Sequence, residues 1–110
     1  MILIQDENYS IVTQEKATIV ELVKKIQESY SKMKNHNIIV NLATLNKPNS
    51  QDMLEFLELS NNHRNSKHSF VIVSHNYDLD DTIDDIIVVP TLQEAYDIIE
   101  MEEIERDLGF

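Results

Sequence analysis

Ser50 is the one residue for which the sequence supports a specific chemical hypothesis, namely phosphorylation. Ser50 follows a predicted buried strand and a short loop, and it opens a predicted helix. The free N–H groups and partial positive charge of a helix N-terminus favour a phosphate by about 0.3–1 kcal/mol. Asp52 and Glu55 in the same first turn offset part of that gain. Ser50 is therefore a phosphorylation candidate, and its alternative role is that of a plain helix-capping serine, which contributes about 1 kcal/mol.

Residue types suited to metal binding are present, but their spacing does not suit it. The sequence has no cysteine and four histidines: His36, His63, His68 and His75. No two of these histidines are four residues apart, which is the spacing of a helical zinc site. Gly109 is the only glycine, which excludes glycine-rich phosphate loops. We therefore expect no enzyme activity, no catalytic residue, no metal and no cofactor. His63 and His68 flank a predicted polar loop at 61–67, and we predict that both are solvent-exposed.

The acidic residues are concentrated in the last third of the chain. Residues 1–77 carry eight acids and eight bases, whereas residues 78–110 carry twelve acids and one base, which accounts for the whole net charge of -11. Such a surface repels nucleic acid and anionic membranes. It attracts a basic protein partner, and its simpler alternative role is solubility. A calcium loop beginning at Asn76 would need glycine at Asp81 and glutamate at Ile87, and the sequence has neither. We therefore interpret the aspartates of this segment as a solvated cluster: Asp78, Asp80, Asp81, Asp84 and Asp85.

Alternating strands and amphipathic helices must position Ser50. Thr18 with Glu21, and Thr91 with Glu94, have the spacing of capping boxes that begin helices. Apolar patterns predict strands at 2–6, 9–13, 38–42, 70–73 and 86–89, and helices at 18–34, 50–60 and 91–104. The apolar side of the middle helix is predicted to comprise Met53, Leu54, Phe56, Leu57 and Leu59. This order predicts an α/β fold in which a mixed, mainly parallel β-sheet packs against helices.

The chain is expected to form one cytoplasmic domain. Its 110 residues suit a single domain spanning 1–110, and we interpret residues from about 101 to 110 as an acidic C-terminal tail. The N-terminus lacks the basic start and long apolar stretch of a signal peptide. No apolar run is long enough to span a membrane.

Three segments resemble the STAS domain, the family of bacterial anti-sigma-factor antagonists. Residues 37–43, Asn-Ile-Ile-Val-Asn-Leu-Ala, are similar to the family's buried strand. Residues 48–54, Pro-Asn-Ser-Gln-Asp-Met-Leu, stand where the family usually has Asp-Ser-Ser-Gly-Leu, and residues 89–95, Val-Pro-Thr-Leu-Gln-Glu-Ala, are similar to the lead into its final helix. The resemblance implies a STAS-like sandwich with Ser50 on the serine that partner kinases phosphorylate. It also implies a partner-binding surface around Ser50, with these candidates: Asn49, Gln51, Asp52, Glu55 and Glu58.

The leading functional hypothesis is a protein-binding regulatory module whose partner is an anti-sigma-factor-like kinase or another regulator. A constitutive accessory or structural subunit without a phosphorylation switch is one alternative. A degenerate receiver-like domain is the other, although Asn41 stands where a receiver needs its acceptor aspartate. In each case the expected partner is another protein, with no nucleic acid and no membrane.

Overall fold

The chain folds into one five-stranded sheet with helices on both faces. A computed structural model describes residues 1–14, 18–42, 48, 50–75, 77 and 83–109. The strands are β1 (Ile2–Gln5), β2 (Tyr9–Thr13), β3 (Asn37–Asn41), β4 (Phe70–Val73) and β5 (Ile87–Val89). The helices are α1 (Ile19–Ser29), α2 (Ser50–Leu54), α3 (Leu57–Asn65) and α4 (Leu92–Asp107), and a 3-10 turn, Tyr30–Lys32, follows α1.

The strands lie in the sheet in their chain order, β1-β2-β3-β4-β5. β1 is antiparallel to β2, and β2, β3, β4 and β5 run parallel to one another. This arrangement confirms the predicted α/β fold with a mixed, mainly parallel sheet. It also shows that the receiver-like alternative is wrong, because the flavodoxin-like receiver sheet has the strand order 2-1-3-4-5.

Two apolar layers hold the helices on the sheet. On one face, α1, α2 and α3 pack over a large cluster whose fully buried members include Leu22, Ile26, Met53, Phe56 and Phe70. On the other face, α4 packs over a smaller cluster formed by Ile39, Val71, Val73, Val89, Ala95 and Ile99. β3 and β4 contribute to both layers. Being covered on both faces explains why their sequences are continuously apolar rather than alternating.

The two helix starts that were predicted from capping boxes, at Thr18 and Thr91, are confirmed. The Thr18 hydroxyl accepts a hydrogen bond from the Glu21 amide at 3.2 Å, and the Thr91 hydroxyl accepts one from the Glu94 amide at 3.2 Å. Each bond satisfies one of the backbone N–H groups that a helix N-terminus leaves free. α4 then continues to Asp107, so residues 101–107 of the expected acidic tail are helical.

The segment after Ser50 differs from its prediction in two ways. The predicted single helix at 50–60 is two helices. The Glu55 amide donates a hydrogen bond to the Asp52 carbonyl at 3.2 Å, and the Phe56 amide donates one to the Met53 carbonyl at 3.0 Å. Because these bonds span three residues rather than four, they form a tighter turn between α2 and α3. The predicted polar loop at 61–67 is wrong for residues 61–65, which form the last turns of α3. The physical reason is that His63 continues the buried side of this helix and finds polar partners there.

Candidate functional site

Ser50 is the first residue of α2, and its side chain is half-buried. Pro48 just before it is buried, whereas Asn49, a predicted partner-binding residue, lies outside the described residues. Ser50 therefore belongs to the first turn of α2. Met53 and Phe56 are fully buried and fix this turn to the core. Ser50 thus lies at the edge of a turn that is packed on the core through Met53 and Phe56.

Four exposed side chains and Ser50 define what we term the Ser50 surface: Ser50, Gln51, Leu54, Glu55 and Glu58. Of the predicted site residues, Ser50 and Gln51 lie on α2, Glu55 lies in the turn between α2 and α3, and Glu58 lies in the first turn of α3. Leu54, at the end of α2, was not among the predicted partner-binding residues. Asp52 is half-buried and has an interaction of its own. Leu54 was predicted to face the core, and that prediction is wrong, since 44% of it is exposed. The tightened turn at 55–56 brings Met53 and Phe56 inward and leaves Leu54 outside.

A groove between α1 and α3 borders the Ser50 surface. It has a volume of about 190 Å³ and is lined by Gln27, Tyr30, Glu58, Leu59 and Asn62. Glu58 belongs both to this groove and to the Ser50 surface. Sequence reasoning missed the groove because its walls come from helices far apart in the chain. The sequence predicts Glu58 as a partner-binding residue on the polar side of its helix, but only the fold shows that the groove lies beside it.

A buried histidine fixes α3 beneath this surface. His63 is fully buried, its Nδ1 lies 2.6 Å from the Tyr30 hydroxyl, and its Nε2 lies 2.7 Å from the His36 carbonyl oxygen. Because a carbonyl oxygen only accepts, Nε2 carries the hydrogen and Nδ1 accepts from the hydroxyl. The His63 ring also stacks on His68 with centroids 5.4 Å apart. The ring thereby joins α3 to the end of α1 and the start of β3.

The prediction that His63 is solvent-exposed is therefore wrong, and His68 is half-buried rather than exposed. Burial lowers the pKa of His63 to about 4, although the hydrogen bond to the His36 carbonyl acts in the opposite direction. Burial also lowers the pKa of His68, and the nearby Arg106 acts in the same direction. No sequence signal within the 61–67 segment could have shown this, since the partners lie far away in the chain.

The structure describes only part of the acidic segment before β5. Asp78, Asp80 and Asp81 lie outside the described residues, whereas Asp84 and Asp85 are exposed in a turn. The Asp85 carbonyl accepts a hydrogen bond from the Ser60 hydroxyl at 2.6 Å, which ties this turn to α3. In the described part of the chain, no histidine, aspartate or glutamate side chains form a group of three or more that could hold a metal ion. Within the same ranges, no helix has the length and apolar character needed to cross a bilayer.

Comparison with known proteins finds similarity in structure and not in sequence. No family model and no curated protein matches the sequence. RsbS from Moorella thermoacetica, in a variant with glutamate in place of a serine, matches with a TM-score of 0.67 and 11% identity, covering 96% of this chain and 97% of RsbS. A chain from the stressosome, whose structure is described as that of a signal integration and transduction hub, matches with a TM-score of 0.61 and 12% identity, covering 90% and 96%.

Both matched chains are STAS-domain proteins, so this chain has the STAS fold. The resemblance predicted from the three sequence segments is confirmed at the level of fold. Identities of 11% and 12% establish the shared architecture alone. What the chain binds must be argued from its own surface.

Proposed function

We propose that this protein is a non-catalytic regulatory module, similar to an anti-sigma-factor antagonist, that binds another protein through the Ser50 surface. The observation that carries the proposal is the exposure of Leu54 beside Ser50, on a short helix anchored by buried Met53. The docking surface extends to the other predicted partner-binding residues: Asn49, Gln51, Asp52, Glu55 and Glu58. The partner is a protein, either an anti-sigma-factor-like kinase or another regulator.

The Ser50 surface has the composition of a small protein-binding patch. Interfaces commonly place an apolar anchor at the centre of a polar rim. Leu54 provides that anchor, since 44% of it is exposed. Gln51, Glu55 and Glu58 are exposed around it and provide the rim. The groove beside Glu58 adds a concave wall into which a partner side chain could insert.

Phosphate on Ser50 would act as a switch at this patch. The modification adds up to about two negative charges, beside Asp52 and Glu55. Within the free domain these charges stay near solvent at a helix start, where the penalty is small. In an interface these charges are desolvated, which is costly where no cation pairs with them. RsbS studied as a serine-to-glutamate variant, and a stressosome named as a signalling hub, support a regulatory role by analogy.

The first test identifies the partner by comparing variants. Tagged wild-type protein, Leu54→Ser and Met101→Ser are used to capture proteins from the native lysate, followed by mass spectrometry. Met101 is the matched control because 57% of it is exposed, and it lies on α4, across the sheet. The expected partner is retained by wild type and Met101→Ser and lost with Leu54→Ser. Equal retention by all three proteins would contradict the proposed surface.

The second test measures the switch with that partner. Calorimetric titration is expected to show that Ser50→Asp weakens binding more than Ser50→Ala, by about tenfold or more for a desolvated charge costing above about 1.4 kcal/mol. Both variants are expected to melt within about 4–8 °C of wild type, the shift produced by about 1 kcal/mol. Equal affinities for the two variants would leave the alternative, a constitutive accessory subunit without a phosphorylation switch.

A further inference from the structure

The sheet has a second apolar area on the face opposite the Ser50 surface. Ile2 pairs with Thr13, and Ile4 pairs with Ile11, in the antiparallel register of β1 and β2. Directly opposed residues of such a pair project to the same face, and Ile11 packs in the cluster beneath α4. These residues therefore share the α4 face. Ile2 and Ile4 are 47% and 59% exposed. We term this area the β1–β2 face.

The described helices do not extend over the β1–β2 face. α4 packs on β3, β4 and β5, and it reaches β2 at Tyr9, whose ring meets the Tyr96 ring edge-on at 5.1 Å between centroids. A helix is about 10 Å wide and neighbouring strands are about 4.8 Å apart, so β1 and β2 together are about as wide as one helix. The uncovered part of the sheet is thus the width of one more helix lying beside α4.

The side of α4 that borders this face is acidic. Glu100, Glu103 and Asp107 line a hollow of about 440 Å³ together with Asn8, Tyr9 and Ile104. One carboxylate oxygen of Glu103 accepts hydrogen bonds from the amides of Asn8 at 2.8 Å and Asn37 at 3.0 Å, and neither amide neutralises its charge. Burial raises the pKa of Tyr9, and the charges of Glu103 and Glu100 raise it further. A ligand on the β1–β2 face would therefore lie against negative charge.

We propose that the β1–β2 face binds an amphipathic helix of another protein, with apolar side chains on Ile2, Ile4 and Ile11 and with lysine or arginine facing α4. Charge complementarity selects this occupant. A second copy of this chain is disfavoured, because each copy has a net charge of -11 and would bring its own acidic residues to the contact. The site lies across the sheet from the Ser50 surface and goes beyond the function proposed there.

The probe is a synthetic helical peptide, about 18 residues long and so about five turns, with leucine on one face and lysine on the other. A matched peptide has glutamate at every lysine position. In nuclear magnetic resonance spectra of the full chain, the lysine peptide is expected to shift the amides of β1, β2 and residues 100–107 of α4. The glutamate peptide is expected to leave them unchanged. Shifts centred on α2 and α3 instead would overturn the proposal.

Substitutions then separate apolar docking from general attraction between opposite charges. Ile4→Ser is expected to weaken peptide binding about fivefold to tenfold. The reason is that the peptide would bury the exposed part of the Ile4 side chain, which is more than half of it. Val20→Ser is the matched control and is expected to have no effect, since Val20 is also 59% exposed but lies on α1. Glu100→Gln is expected to weaken binding and reduce its dependence on salt.

Three outcomes would overturn the proposal: no binding of the lysine peptide, equal losses for Ile4→Ser and Val20→Ser, or a wild-type dimer that Ile4→Ser dissociates in sedimentation. Leu54→Ser is expected to bind the peptide as wild type does. A failure at the β1–β2 face and a failure at the Ser50 surface would therefore be distinguished by different variants.

Discussion

Acidification should weaken this fold through His63. The ring is fully buried, and its two nitrogens are already committed to the Tyr30 hydroxyl at 2.6 Å and the His36 carbonyl at 2.7 Å. A proton added to the ring would place a charge in the core and remove the acceptor used by the Tyr30 hydroxyl. Burial accordingly lowers the pKa of His63 to about 4 from its usual 6.5.

The sign and size of the effect follow from proton linkage. Between pH 6.5 and 4 the unfolded chain binds a proton at His63 that the folded chain excludes, so the free energy of unfolding falls as the pH falls. The stabilisation is fully present above pH 6.5 and is lost progressively down to pH 4. At about 1.4 kcal/mol for each unit of pKa difference, the total loss is about 3 kcal/mol, a large part of the 5–15 kcal/mol typical of a domain.

Urea unfolding of wild type and His63→Gln at pH 7, 6 and 5 measures this contribution. The variant should be less stable at pH 7 by about 1–3 kcal/mol, because glutamine leaves a buried partner unsatisfied. Its stability should then change less with pH, and the gap to wild type should narrow by about 2 kcal/mol at pH 5. His75→Gln is the control, since His75 is exposed. Parallel pH profiles for wild type and His63→Gln would refute the reasoning.

Two further predictions concern the anchors of the helices. Phe56→Ala should lower the free energy of unfolding by about 3–5 kcal/mol, because the fully buried Phe56 ring packs the junction of α2 and α3 against Phe70. A decrease below about 1 kcal/mol in urea unfolding would contradict that role. Thr91→Ala should cost about 1 kcal/mol by removing the cap on the Glu94 amide, whereas Thr91→Ser should retain most of the stability. Equal stability of both Thr91 variants would contradict the capping argument.

The elements that local chemistry determines could be predicted from the sequence. The Thr18 and Thr91 caps, and the apolar stripe that begins at Ile19, involve residues within a few positions of one another. The continuous apolar runs of β3 and β4 likewise indicated burial on both faces. Such signals depend on helix and strand periodicity alone, so they were sufficient for the order of elements and for the mixed sheet.

The parts that failed depend on contacts between distant segments. His63 was interpreted as a loop residue because the chain around it is polar, yet its partners Tyr30 and His36 lie 33 and 27 residues away. Leu54 fits an apolar stripe drawn through an unbroken helix, and only the tightened turn at 55–56 shows that it faces outward. The exposed apolar centre of the Ser50 surface therefore depends on that turn and has no signal in the local sequence pattern.

The fold also shows where the uneven charge of the sequence lies on the surface. Seven of the twelve acidic residues of the last third lie on α4, where Glu100 and Glu103 border the β1–β2 face. Leu54 and Ser50 lie across the sheet. Between the two areas, β3 and β4 are packed on both sides, and close-packed interiors resist adjustment. Two partners could therefore occupy the two faces at once without competing for the same atoms. Phosphate on Ser50 would then repel one partner, while the attraction of α4 for a basic helix would remain largely unchanged at that distance, where solvent ions screen exposed charges.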